Sequence, residues 1–326
     1  QITAIKTEDI KPIFLDFKKD IQQVLTNKVP LIISPNNENQ LFSLYYYFDM
    51  GSNNLKKLPL ALEYLKYLGT NRYTAEEINK EFYKVASSFS THCDQRTTYI
   101  QVDGLNKNLS KSIELLEHLL ANCQPDQNKL DAFINDYIKT RENDKLVKYN
   151  ILNGLVNIAT YGIKNPFNYK LSDAELKKLR AEELVTLLHN LTKYRHKVLY
   201  YGPEEKEALV ATLAMYHKTN MSTRVLPAAY PFTFRKNTAN EVNFANYDMV
   251  QTEISWSRNS AMFSPVNIPV INLFNEYFGG GMAGVVFQTI RESKALAYST
   301  YAYYGTAYKK NEPITMKAYV GCQADK

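Results

Sequence analysis

The stretch that decides the fold is Phe278–Ser299, with the sequence FGGGMAGVVFQTIRESKALAYS. It opens with three glycines that predict a sharp turn between two helices, namely Gly279, Gly280 and Gly281. The stretch lacks the Lys-Ser/Thr pair of a phosphate-binding loop. A helix with apolar residues three and four apart then leads to Arg291 and, seven residues later, to Tyr298. An arginine and a tyrosine are thereby placed close to a tight turn.

The elements around this stretch occur twice in the chain. Leu41–Met50 is rich in aromatic residues and predicts a strand, and the helix that follows it ends near Gly69. Setting Gly69 on Gly279 also places this strand on Val250–Ser260. The sequence therefore predicts an α+β fold in which a two-layer unit, an antiparallel sheet covered by helices, is repeated in tandem. Further amphipathic helices are predicted between the two copies, at Ile113–Leu120, Leu130–Leu146 and Asp173–Leu191.

The boundary between the copies is predicted within Lys218–Asn240, where proline and polar residues indicate a linker. This gives a first α+β subdomain at 1–225 and a second at 226–326. The second copy stops at Lys326, before any counterparts of the helices beyond Leu105. Because half of an α+β layer would leave its sheet uncovered, we expect a truncated second copy and a fragment of a longer protein. The first residues, which lack an initiator Met, also resemble a cut end.

The composition excludes several classes of protein. Of the 326 residues, 45% are apolar and 13% aromatic, which is enough to build a core and excludes a disordered tail. The formal net charge is +6 and no long tract of like charges occurs, so nucleic acid is not an expected partner. The longest apolar runs, such as Val266–Phe278, are shorter than the ~20 residues of a membrane span, so none is expected.

No metal site can be assembled from the local sequence. The five histidines show neither H-E-x-x-H nor H-x-x-E-H spacing, and the three cysteines form no C-x-x-C pair. Glu114 and His118 stand four residues apart on a predicted helix. Without a further ligand, this pair is interpreted as part of a solvated helix face, and no metal is predicted in this segment.

The Phe278–Ser299 stretch closely resembles the signature in the second subdomain of the insulinase/pitrilysin family of zinc metallopeptidases, the inverzincins. The glycine turn, the helix, the Arg-Glu pair and Leu-Ala-Tyr-Ser match in order. The resemblance implies a hydrolase in which two halves, each of two α+β repeats, close around a chamber where peptides are cut. It also implies a zinc in one half, bound by an H-x-x-E-H helix and a later Glu. The opposing half presents an Arg and a Tyr that bind the substrate, which Arg291 and Tyr298 match in type and spacing.

The first repeat departs from the active pattern where the resemblance implies H-x-x-E-H. That position is occupied by Leu60-Ala-Leu-Glu63-Tyr64, so both metal-binding histidines are missing. Glu63, in the position of the general base, has no metal-bound water to deprotonate and is interpreted as a solvated helix residue. We therefore predict the non-catalytic half of a zinc-dependent metalloendopeptidase, inactive alone. Zinc is expected in an H-x-x-E-H half on the same polypeptide or on a partner subunit.

Two interpretations of this half stay open. In the first, it forms the chamber wall and supplies substrate-binding residues for peptide hydrolysis, and in the second it is a catalytically inactive scaffold or assembly subunit. From the residues alone, Arg291 could simply pair with Glu292, and Tyr298 could be a strand aromatic. Retention of both hydrogen-bond donors favours peptide binding. Low cysteine content, an Asn-, Lys- and Tyr-rich composition and the resemblance to large bacterial members favour the bacterial cell envelope, in the periplasm.

Overall fold

The computed structural model describes residues 14–219, 224–307 and 309–323. Its helices and sheets form the α+β fold that the sequence predicts, in two compact units. The first comprises the described parts of Gln1–Asp131 and Lys178–Ala229, and the second those of Ala132–Lys177 and Tyr230–Lys326. The segment 132–177 thus groups with the second unit, so the compact units differ from the predicted subdomains 1–225 and 226–326, which stay a prediction.

The first unit is built on a six-stranded sheet with the order β1-β2-β6-β3-β5-β4. Its neighbouring strands are antiparallel except for the pair β2 and β6, which is parallel. The strands are β1 (Gln22–Thr26), β2 (Val29–Pro35), β3 (Leu41–Phe48), β4 (Ser87–Cys93), β5 (Thr98–Leu105) and β6 (Lys197–Gly202). The helices of this unit are α1 (Leu58–Leu65), α2 (Ala75–Lys84), α3 (Leu109–Asn122), α7 (Ala181–His189) and α8 (Lys206–Tyr216).

The core of the first unit lies between the sheet and these helices. Alternate residues of β3, which are Phe42, Leu44, Tyr46 and Phe48, are at most 2% exposed. Helix α2 begins at the predicted capping box, in which the side chain of Thr74 accepts from the backbone N–H of Glu77 and Glu77 bonds back. The alternation in the strands and the three-to-four spacing in the helices place the apolar atoms in one layer.

The second unit contains a three-stranded sheet with the order β7-β9-β8. Its elements are α4 (Gln127–Asp144, which also contributes to the first unit), α5 (Lys148–Tyr161), α6 (Asp173–Leu176), β7 (Gln251–Met262), α9 (Ile268–Phe274), β8 (Ala297–Gly305) and β9 (Pro313–Gln323). Two π-helical segments lie between α9 and β8, at Asn275–Gly279 and Phe287–Ser293. All pairs in this sheet are antiparallel.

The predicted tandem repeat is present in the topology. In the first unit β5 lies between β3 and β4, and in the second β9 lies between β7 and β8. Helical segments connect the first two strands of each set, so the order strand, helix, helix, strand, strand occurs twice. Each copy also enters its second strand after an alanine with a positive φ, Ala86 at 47° and Ala295 at 48°. The two copies thus share an unusual backbone conformation at the same point of the fold.

Candidate substrate-binding site

The glycine turn is required by the packing of the second unit. A Cβ atom on Gly279 would overlap the carbonyl oxygen of Ala302, so the helical segment lies directly against the backbone of β8. Gly281 has a φ of +59°, in the left-handed region that favours glycine. Gly280 approaches the backbone of Glu276 closely. The turn therefore fixes where the next helical segment, Phe287–Ser293, begins.

The structure brings Arg291 and Tyr298 together. Arg291 lies in the last turn of the π-helical segment and Tyr298 near the start of β8. The guanidinium carbon of Arg291 lies 4.5 Å from the ring centre of Tyr298 and 4.7 Å from that of Phe287, within cation–π distance of both. Two aromatic rings thus hold one cation, and the spacing seen in the sequence corresponds to contact in space.

The pair is accessible to a ligand. The side chain of Arg291 is 35% exposed and Tyr298 is 76% exposed. Within the described residues the Tyr298 hydroxyl has no protein hydrogen-bond partner. The Nε atom of Arg291 lies 3.6 Å from a carboxylate oxygen of Glu292, so the purely local pairing also exists, as a long and exposed ion pair of small energetic weight. Both donors therefore remain available to an acceptor such as a peptide carbonyl.

The Leu60-Ala-Leu-Glu63-Tyr64 segment does not fit a zinc ion. Leu60 and Tyr64 are 3% and 0% exposed and belong to the core. The Tyr64 hydroxyl donates to the carbonyl of Asp126 (2.6 Å) and accepts from its backbone N–H (3.0 Å), and burial raises the pKa of this phenol. Glu63 is half-exposed and forms a salt bridge of 2.8 Å with Lys66. Tyr64 therefore stabilises the entry into α4 from the position where the resemblance implies a metal ligand.

Across residues 14–219, 224–307 and 309–323, no group of three or more His, Cys, Asp or Glu side chains is arranged to hold a metal ion. The cysteines are free, and burial raises the pKa of Cys93 to about 11 and that of Cys123 to about 12. Such thiols stay protonated at neutral pH and are poor ligands and nucleophiles.

A buried hydrogen-bonded chain of two histidines is the polar feature that the sequence did not predict. His196 and His217 are 2% and 1% exposed, and their Nε2 atoms are 2.8 Å apart. Nδ1 of His196 lies 2.7 Å from the carbonyl oxygen of Tyr194, and Nδ1 of His217 lies 2.6 Å from the carboxyl of Glu117. These residues come from three separate parts of the chain, so no local motif could have revealed the network.

The hydrogen-bond partners of the two rings determine which nitrogen atoms carry a hydrogen. A carbonyl only accepts, so Nδ1 of His196 carries a hydrogen, and its Nε2 then accepts from the Nε2–H of His217. One further proton must lie between His217 and Glu117. Burial, followed by the charge of His217, lowers the pKa of His196 to about 4. The ring of His196 is therefore neutral at pH 7 and has a structural role.

Residues 189–326 match the family model described as the peptidase M16 inactive domain. The resemblance to an insulinase-type inactive half is confirmed. No curated protein matches the sequence. The matched segment contains the glycine turn, Arg291 and Tyr298.

Solved structures with the same fold come from several bacteria. A peptidase M16 inactive domain from Pseudomonas fluorescens has a TM-score of 0.72 at 14% identity and covers 94% of this chain and 75% of its own. The periplasmic protease PqqL from Escherichia coli has a TM-score of 0.75 at 12% identity. The ferredoxin protease FusC, crystallised with Arabidopsis ferredoxin, has a TM-score of 0.73 at 13% identity. The chain spans only 38% and 37% of these last two proteins, and such low identities establish the fold alone.

Proposed function

We propose that this chain is the non-catalytic half of a zinc-dependent metalloendopeptidase, in which Arg291 and Tyr298 bind the peptide next to a zinc ion held by another half. The observation that carries the proposal is the contact of the Arg291 guanidinium with the Tyr298 ring at 4.5 Å on an accessible surface. The match of residues 189–326 to an inactive peptidase domain supports it. The H-x-x-E-H half would be on the same polypeptide or on a partner subunit.

The chemistry of the pair suits peptide hydrolysis. When water attacks a peptide carbonyl, negative charge develops on its oxygen, and N–H and O–H donors that already point to that position stabilise the charge. Stacking against Phe287 and Tyr298 restricts the guanidinium of Arg291, so less rotational freedom is lost when a substrate binds. Neither residue can activate water, so they contribute by binding and by stabilising charge.

The remaining features of the proposal concern the whole protein. We propose that the chain forms part of the chamber wall, with sequence subdomains 1–225 and 226–326 as its two repeats. The periplasm is the proposed compartment, which is supported by the similarity in fold to a periplasmic protease. Among the described residues, no helix is both long and apolar enough to cross a membrane.

The test is steady-state kinetics of the complete enzyme, assembled with its H-x-x-E-H half. Arg291→Ala and Tyr298→Phe each remove a donor from the developing oxyanion and should lower kcat by roughly 10²–10³-fold, with unchanged zinc content. The matched control is Tyr277→Phe, because Tyr277 is 70% exposed and lies outside the pair. Variants of both residues within about twofold of wild type would favour the scaffold interpretation.

A further inference from the structure

Positively charged side chains gather at one end of the six-stranded sheet of the first unit. Strands β2 and β6 run parallel, with Leu31 paired to Val198. The same register places Lys28 level with Arg195, just before the two strands begin. The backbone N–H of Arg195 donates to the carbonyl oxygen of Arg224 (3.4 Å), which brings a third cation to this end. Three separate segments of the chain therefore contribute a cation here.

Helix α8 ends at the same place. The side-chain amide of Asn27, in the turn between β1 and β2, donates to the carbonyl oxygens of Ala214 (3.3 Å) and His217 (3.2 Å). Lys218 follows directly, and Lys193 lies in the short helical turn that leads into β6. We call the surface formed by these five cations the basic end, which consists of Lys28, Lys193, Arg195, Lys218 and Arg224.

The protein does not neutralise the basic end. All five of its residues are exposed, and none forms an ion pair with any other residue that the structure describes. Lys197, which opens β6, does pair with Asp49 (3.1 Å) and is therefore left out of the group. Crowded charges of one sign repel each other and raise the local potential, so such a cluster attracts an anionic partner.

Apolar side chains protrude between these charges. Leu25 on β1, Met215 in the last turn of α8 and Val225 are 68%, 62% and 92% exposed. Each stands within three residues of a cation of the basic end. In a protein–protein interface the apolar side chains usually form one continuous core with the charges at its rim. Cations interspersed with protruding apolar side chains are instead typical of a surface that binds an anionic bilayer.

We propose that the basic end binds the surface of a lipid bilayer that carries anionic headgroups. Its five cations contact the lipid phosphates, while Leu25, Met215 and Val225 enter the boundary between headgroups and acyl chains. All of these residues belong to the first unit, so the surface is complete within one compact part of the chain. The proposal does not depend on the proposed function.

The test is sedimentation of the 326-residue chain with vesicles of phosphatidylcholine, either pure or mixed with ~30% phosphatidylglycerol. Binding should be saturable, confined to the anionic vesicles and lost in ~0.5 M NaCl, because salt screens the attraction. Lys28→Glu with Arg195→Glu should weaken binding by ~20-fold or more, since each cation near an anionic surface contributes about fivefold. The matched control is Lys107→Glu with Lys206→Glu, which changes the net charge equally at the opposite ends of the sheet and of α8. This control should bind like wild type.

A third variant separates a bilayer from an acidic protein as the partner. Leu25→Ser with Met215→Ser should weaken vesicle binding by ~10-fold or more, because fewer apolar groups then enter the bilayer. Far-UV circular dichroism of each variant shows that the fold is kept.

Four results would overturn the proposal. The first is the absence of sedimentation with anionic vesicles at millimolar lipid, and the second is equal weakening in the matched control. The third is wild-type binding by the serine variant, because a purely electrostatic surface would suit an acidic protein equally well. The fourth is binding by this chain but not by the complete protein, because another part of the protein would then cover the basic end.

Discussion

Lowering the pH is expected to destabilise the first unit through His196. The neutral ring donates from Nδ1 to the carbonyl of Tyr194 (2.7 Å) and accepts at Nε2 from His217 (2.8 Å). A second proton on His196 would place two N–H groups against each other inside the core. Burial and the charge of His217 accordingly lower the pKa of His196 to about 4.

The size and sign of the effect follow from linkage. The unfolded histidine has a pKa of about 6.5, so on acidification the unfolded state binds this proton first. The stabilisation from neutral His196 is complete above pH ~6.5 and is lost between pH ~6.5 and ~4. A difference of about 2.5 pKa units, at about 1.4 kcal/mol for each, gives a total loss of about 3.5 kcal/mol, of which about 3 kcal/mol is reached by pH ~4.

The assay is urea unfolding followed by far-UV circular dichroism at several pH values across this range. Carboxylates elsewhere also titrate in acid, so the informative quantity is the difference in free energy of unfolding between wild type and His196→Asn. This difference should decrease by about 3 kcal/mol from neutral pH to pH ~4, because the variant lacks the titrating group. His92→Asn serves as the matched control, since His92 is an exposed histidine of the same unit. A difference that stays constant with pH to within about 0.5 kcal/mol would refute the assignment.

Three further substitutions test Tyr64, which stands at the position of a zinc ligand, and two glycines of the turn that precedes Arg291. Tyr64→Phe should lower the free energy of unfolding by about 1–3 kcal/mol, because two buried hydrogen bonds to the residue before α4 are lost. Urea unfolding measures this change, with Tyr83→Phe as the control because Tyr83 is exposed. Equal stabilities of the two variants would contradict the prediction. Gly279→Ala should destabilise the second unit by roughly 3 kcal/mol or more, because the methyl group meets the main chain of β8. Gly281→Ala should cost only about 1 kcal/mol for its positive φ, since open space surrounds it. Thermal unfolding of both glycine variants, followed by the fluorescence of Trp256, decides between these values, and equal effects would show that the close packing of Gly279 is unimportant.

The repeat could be predicted from the sequence, because the spacing of apolar residues and the positions of the turn residues are the same in both copies. The aromatic alternation of Leu41–Met50 and the leucines that follow predict β3 and α1, and both occur. Asp173–Leu191, in contrast, was predicted as one helix and forms two, α6 and α7. Arg180 adopts an extended conformation between these helices. The apolar residues on both sides of this break still face the core, so their spacing in the sequence resembles that of one continuous helix.

Helix α5 was not predicted, because its local propensity is weak. Its interior contains Gly154 and several Asn residues, which lower helix propensity. In the structure Gly154 makes room for the ring of Phe167, so tertiary packing explains the residue. The network of His196, His217 and Glu117 was missed for a related reason, since sequence separations of 21 and 100 residues leave no local pattern. The family resemblance singled out Arg291 and Tyr298 as substrate-binding residues, whereas their direct contact was not predicted.

The central claim, that this chain is the half without metal, is tested most directly by metal analysis of the purified 326-residue protein after equilibration with zinc and removal of free ions. Leu60 and Tyr64 stand in the core where two imidazoles would be needed, so we expect no stoichiometric zinc and no hydrolysis of peptide substrates by this chain alone. About one tightly bound zinc per chain, coordinated by any of its histidines, would contradict the claim.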